Sequence, residues 1–265
     1  MPTLDLPDGT RLHFETSGNG APLLLLAGFM SDGASWAPVL PLLEPHFTVI
    51  RPDNRTSGQT QPWNANCSFQ IWAEDALALM DHLGHDSFHA AGHSLGGLIG
   101  WQAAYLASDR LNTLTIAGSA PRHFERNTAL FRSLIDVRRS NCDPGTWLRL
   151  LFPWLFHPDM FDNPRLIDGA VAQSLAYPHA QSADAMEHQL NALYEGNDPA
   201  PFLAAPPVPT LALLARNDLM VPLDLAAASM PDIPSQIIEN AGHSMHWDQP
   251  QAVAKHIHDF IGAHA

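Results

Sequence analysis

The stretch Ala91-Gly92-His93-Ser94-Leu95-Gly96-Gly97 constrains this chain more than any other. It carries G-x-S-x-G, with the apolar run Phe88-His89-Ala90-Ala91 before it and a helix-compatible run, Leu98 to Leu106, after it. Strand, tight turn and helix are the context in which this pattern puts a serine on a sharp bend, its hydroxyl exposed at the end of a sheet. Residues two before and two after the serine must be small, because a Cβ there would meet a neighbouring strand or helix. Gly92 and Gly96 fill those places. The helix that starts at the bend presents its N-terminus to developing negative charge.

The rest of the chain supplies the strands such a bend needs. Residues 3–6 and 11–16, around the turn Asp8-Gly9, form an expected N-terminal hairpin. Pro22-Leu23-Leu24-Leu25-Leu26-Ala27 is apolar throughout, as a central parallel strand is when helices cover both faces. Residues 47–52, 86–91, 111–117, 209–214 and 235–238 are the further expected strands. Helices are expected over 35–43, over 69–83 after the capping Ser68, over 222–230 and over 250–264. The alternation predicts an α/β fold with a doubly wound, mainly parallel, eight-stranded sheet, whose ligands bind at the carboxyl ends of the strands.

From Pro121 to about Asn197 the alternation stops, and the segment reads as helical and rich in large apolar residues. It is expected to be a helical cap, which divides the chain into a core over 1–120, a cap over 121–197 and the rest of the core over 198–265. Pro199 to Pro209 is the expected return linker.

A serine hydroxyl is a weak nucleophile. It needs a base to take its proton and an acid to hold that base. On such a sheet the order along the chain is serine, then acid, then histidine. Asp218 follows the 209–214 strand, and His243, preceded by Gly242, follows the 235–238 strand. His246 is the rival base among 15 histidines, and Asp224 the rival acid. No acid follows the strand ending at Ala117, where Gly118-Ser119-Ala120 stands. An oxyanion hole needs two backbone N–H groups, expected from Leu95 and from Phe29 in the loop after Leu26. His93 is expected to pack or hydrogen-bond locally. Gly28, Trp147, Trp154 and Phe156 are candidate pocket residues, although the large aromatics serve equally to hold cap helices together. Arg122, Arg126, Arg138 and Arg139 are candidates to meet a substrate carboxylate or to be solvated helix faces.

Composition removes several classes of function. Thirteen basic residues against 27 acidic ones give a formal charge of −14, which disfavours nucleic acid and anionic membranes as partners. The longest apolar run is far too short to span a bilayer. The start shows no charged n-region followed by an apolar stretch, and Cys67 and Cys142 form no metal or redox motif. A cytoplasmic protein with free thiols is expected, as a monomer or homodimer acting on a small molecule.

These features resemble the α/β-hydrolase superfamily along nearly the whole chain. The closest likeness is to the branch of 3-oxoadipate enol-lactonases and aminoacrylate hydrolases. It is carried by Leu26-Ala27-Gly28-Phe29 with Trp36 downstream, by Gly92-His93-Ser94-Leu95-Gly96-Gly97, by Asn217-Asp218-Leu219-Met220-Val221-Pro222 and by Gly242-His243. Trp154-Leu155-Phe156-His157-Pro158 and Leu190-Asn191-Ala192-Leu193 add a looser likeness in the cap. The chain departs from the family at Ala27, where a histidine is usual, and at Thr56, which stands for a glycine in Asp53-Asn54-Arg55-Thr56-Ser57-Gly58. The resemblance implies the α/β-hydrolase fold and a cofactor-free, metal-free serine hydrolase of the carboxylesterase or lactonase type. Members that act on C–C or amide and enamine bonds use the same three residues. A hydrolase-like receptor for a small ligand is the alternative outside enzymes.

Overall fold

The computed structural model describes residues 2–194 and 204–264. Eight strands form one sheet: β1 (Thr3–Asp5), β2 (Arg11–Gly18), β3 (Ala21–Leu26), β4 (Phe47–Pro52), β5 (Phe88–His93), β6 (Leu111–Ala117), β7 (Thr210–Ala215) and β8 (Ser235–Ile238). Their order is β1-β2-β4-β3-β5-β6-β7-β8. β1 and β2 are the expected hairpin, and β2 pairs antiparallel with β4. Every pair from β4 to β8 is parallel.

The apolar run of β3 explains why the sheet is covered on both sides. Successive side chains of a strand point to opposite faces. Leu24 and Leu26 join one core cluster with Trp72, Leu79 and Ile99, and Leu23 and Leu25 join another with Trp36, Val253 and Ile257. Each such leucine contributes about 1.5–3 kcal/mol by leaving water. The first layer is built by α2 (Phe69–His82) and α3 (Leu95–Leu106), the second by α1 (Leu40–Leu43) and α10 (Pro250–Gly262). Ser68 caps α2 by accepting from the Ile71 N–H at 3.2 Å.

The helix expected over 35–43 is split into a 3-10 turn (Gly33–Trp36) and the single turn α1. Pro38 between them has no N–H to continue an i→i−4 ladder. Trp36, Val39 and Leu43 nevertheless reach the core from the two pieces. Short helices α8 (Leu223–Ser229) and α9 (Met245–Asp248) follow β7 and β8.

Between β6 and β7 stand α4 (Glu125–Arg139), α5 (Thr146–Leu155), α6 (Pro164–Ala176) and α7 (Ala183–Tyr194). They dock on loops that leave the carboxyl ends of the strands. The Ser244 N–H donates to the Leu155 carbonyl at 2.7 Å, and the Met30 N–H donates to Gln189 at 3.2 Å. The expected end of this insertion at residue 197 and the start of the return linker at Pro199 lie outside the described residues. No described helix is long and apolar enough to cross a membrane.

Candidate active site

β5 delivers its last residue, His93, to the carboxyl end of the sheet, and Ser94 turns the chain sharply into α3. Ser94 has φ 52° and ψ −117°, a left-handed backbone that L-residues seldom adopt. Such a residue costs roughly 1–3 kcal/mol and persists where its surroundings over-determine it. Here they do. The Ser94 N–H donates to the Ala117 carbonyl at 2.8 Å, and the Ser119 hydroxyl donates to the Ser94 carbonyl at 2.7 Å. A Cβ on Gly92 would lie 2.1 Å from the Gly96 carbonyl oxygen, and one on Gly96 would lie 2.1 Å from that of Leu26. Helix α3 and strand β3 therefore approach the elbow as closely as glycine allows. Gly97 is needed too, because its Cβ would lie 2.1 Å from the Ser119 oxygen. Ser119 was not singled out by sequence, and Gly118-Ser119 after β6 was its only signal.

Asp218 lies in the turn after β7. Its Oδ1 accepts from the N–H groups of Met220 (2.8 Å) and Val221 (2.7 Å), which fixes the carboxylate. Its Oδ2 lies 2.9 Å from His243 Nδ1, and both side chains are buried. A carboxylate accepts, so Nδ1–H donates and the neutral ring keeps Nε2 as an acceptor. His243 and Ser94 line the same cavity. The rivals are placed elsewhere. Asp224 sits in the first turn of α8. His246 is buried against Trp36 and His93, with ring centroids 5.0 Å and 4.4 Å away, and burial with the nearby His243 pulls its pKa down to about 3.

His93 packs locally, as its position beside the serine suggests. Its Nε2–H donates to the His243 carbonyl at 2.9 Å, and burial holds its pKa well below the usual histidine value. The His243 loop is also tied to the insertion. Asp248 accepts from the N–H groups of Gly242 (2.8 Å) and His157 (2.9 Å). Burial raises the Asp248 pKa above the usual carboxylate value.

Phe29 and Leu95 both line the cavity. Phe29 and Met30 are the central residues of a turn closed by Ser31 N–H to Gly28 carbonyl at 3.2 Å, and Met30 is left-handed at φ 63°. Thr56 keeps the left-handed backbone that a glycine would adopt, at φ 77°. Gln181 Nε2 donates to its carbonyl at 2.8 Å.

The cavity holds about 140 Å³. Phe124, Asn127, Phe131, Tyr194 and Met220 form much of its wall, and Arg122 stands at it exposed. Four expected pocket residues are not among the lining residues, and packing explains why. Trp147 lies under Arg138, whose guanidinium carbon is 4.5 Å from the ring centroid, and Trp154 lies 5.6 Å from that of Arg126. The Phe156 ring packs on Phe152 at 5.3 Å, while its backbone crowds Gly242. Gly28 lies behind the elbow, where a Cβ would touch His93 and Ser94. Arg139 is paired with Asp184 and Glu187. Of the four candidate arginines, Arg122 alone faces the cavity, with Phe124 under its guanidinium at 5.7 Å.

Among the described residues, no three His, Cys, Asp or Glu side chains are grouped to hold a metal ion. Cys67 and Cys142 are free thiols, and burial pushes the Cys67 pKa up to about 12.

The sequence profile of the alpha/beta hydrolase family matches residues 23–256. The chain belongs to the alpha/beta hydrolase family. Proteins that it resembles include the carbamate hydrolase RutD of Azorhizobium caulinodans, at 27% identity over 89% of this chain and 88% of that one. A thermophilic esterase from Thermogutta terrifontis superposes with a TM-score of 0.84 at 27% identity, covering 100% of this chain and 99% of the other. The enol-lactonase of Burkholderia xenovorans superposes with a TM-score of 0.81 at 23% identity, over 98% and 100% of the two chains, and shows the shared fold. This alpha/beta hydrolase is accordingly an enzyme of the hydrolase class.

Proposed function

We propose that the protein is a serine hydrolase that cleaves a small carboxylic ester or lactone through Ser94, His243 and Asp218. The observation that carries this is the 2.9 Å Asp218–His243 bond beside a cavity that His243 shares with the left-handed Ser94. His243 Nε2 takes the hydroxyl proton as Ser94 Oγ attacks the carbonyl carbon. Asp218 keeps Nδ1–H in place and stabilises the imidazolium. The N–H groups of Phe29 and Leu95 receive the oxyanion. Collapse expels the alcohol, which takes the proton from His243; in a lactone it stays tethered to the acyl group. Water deprotonated by His243 then attacks the acyl-enzyme and releases the acid and Ser94. The cycle closes without a cofactor.

The cavity of about 140 Å³ sizes the acyl group. A cavity of roughly 150 Å³ holds one benzene, so short or single-ring acyl groups fit. Arg122 favours substrates with a carboxylate near the scissile bond. In this reading residues 121–197 are the cap that selects the substrate, and the two thiols suit a reducing cytoplasm. The carbamate-hydrolase relative favours a second reading, an amide-like or enamine bond opened by the same residues. A panel of short esters, lactones, diketones and carbamates separates the two. Ser94→Ala is expected to remove p-nitrophenyl acetate turnover by about 10⁴-fold or more. Undiminished turnover in the purified variant overturns the reading.

A further inference from the structure

We infer that Gln189 of α7 is a positioning residue for the oxyanion turn, an inference that rests on the Ser94 hydrolase reading. The turn Gly28–Ser31 places Met30 third, with φ 63°. Turns with a left-handed third residue ordinarily put glycine or asparagine there. For a methionine the sterically easier state is the one in which the Phe29–Met30 peptide is flipped and φ turns negative. The Met30 N–H belongs to that peptide, and it donates to Gln189 Oε1 at 3.2 Å. A flip turns the N–H away and breaks this bond. It also swings the Phe29 carbonyl toward Gln189 Oε1, oxygen against oxygen, while the Phe29 ring stays edge-on to Phe131 with centroids 4.6 Å apart. The bond from Gln189 therefore holds the peptide next to the Phe29 N–H in its harder conformation.

Gln189 is anchored for this task. It is fully buried, its Nε2 donates to Ser57 Oγ at 3.3 Å, and its Oε1 also accepts from Gln181 Nε2 at 3.2 Å. Gln181, just before α7, in turn bonds the carbonyl of Thr56, another left-handed non-glycine residue. Two buried amides from the insertion thus hold two unfavourable loop conformations of the core. Gln189 is not among the residues that line the cavity, so it acts through the turn and does not touch substrate.

The test is steady-state kinetics on p-nitrophenyl acetate, per active site titrated with a fluorophosphonate. Gln189→Leu removes the acceptor. The expected loss in kcat is about 10- to 100-fold, below the roughly 10²–10³-fold of deleting an oxyanion donor outright, with KM within about threefold of wild type. Gln189→Glu keeps an acceptor for Met30 and is expected to retain more activity than the leucine variant. Met30→Gly added to Gln189→Leu is expected to recover about tenfold in kcat, because glycine takes the left-handed state freely. A general loss of packing would not be rescued this way. Should Gln189→Leu fail to fold, Gln189→Met carries the same expectations. The inference is overturned if the variant keeps kcat within about twofold of wild type, or if Met30→Gly restores nothing, while Ser94→Ala is inactive. Turnover that survives in Ser94→Ala instead overturns the hydrolase reading beneath it.

Discussion

The elbow and the insertion line the same cavity, the insertion through α4, α7 and the segment before α4, but they reach it by different kinds of encoding. Around Ser94 the geometry is set by backbone contacts between residues close in sequence or on adjacent strands. Gly92 and Gly96 are required because carbonyls stand 2.1 Å from where their Cβ atoms would be. In the insertion, which residues meet the cavity depends on how α4 to α7 lean on one another and on the core loops. In the proposed function the first region holds the chemistry and the second the substrate fit. Substitutions should therefore divide, with losses in kcat from the core loops and from Gln189, which holds one of them, and changes in KM or selectivity from the insertion residues that line the cavity.

The largest effect should break the core side of that contrast. Asp218→Asn replaces the acceptor that holds His243 Nδ1–H and is expected to lower kcat by about 10³- to 10⁴-fold with little change in KM. Asp224→Asn, in the first turn of α8, is expected to stay within about twofold of wild type under the same assay. Equal losses in the two would contradict the assignment of the acid.

The core loops, unlike the insertion, were largely legible in the sequence. Ser94, Asp218 and His243 are picked out by chain order after three parallel strands, and the fold brings them to one place. Phe29 and Leu95 fall on the cavity for the same reason, since each follows a strand at a fixed offset. The aromatic residues of the insertion were not legible in this way. Trp147 and Trp154 are large and apolar, but they are covered by Arg138 and Arg126. Asn127 and Phe131, four apart on α4, line the cavity instead. Helical spacing marks a buried face without saying what buries it. Gln181 and Gln189 were equally silent, because a polar pair 125 or more residues from its loop partners leaves no periodic trace.

Acid stability tests the surroundings of the base. The folded-state pKa of His246 is depressed to about 3 from 6.5, so between those values the unfolded chain binds the extra proton. Stability is then lost as pH falls below about 6.5, by about 2 kcal/mol at pH 5 from this residue. His246→Leu should flatten the fall in urea-unfolding free energy between pH 8 and pH 5 by that order. An unchanged fall would show that His246 is not held neutral by burial.

The smallest expected effect belongs to the insertion. Arg122→Gln should raise KM about tenfold for a short ester bearing a carboxylate, and leave KM for p-nitrophenyl acetate and kcat for both nearly unchanged. A matching rise for the neutral ester would take Arg122 out of substrate recognition.

The nucleophile is tested most directly by mass spectrometry after treatment with a fluorophosphonate. The expected result is one covalent adduct per chain, on the peptide carrying Ser94, with loss of esterase activity in step. A protein that hydrolyses esters yet shows no adduct, or carries it on another residue, would contradict Ser94 as the nucleophile.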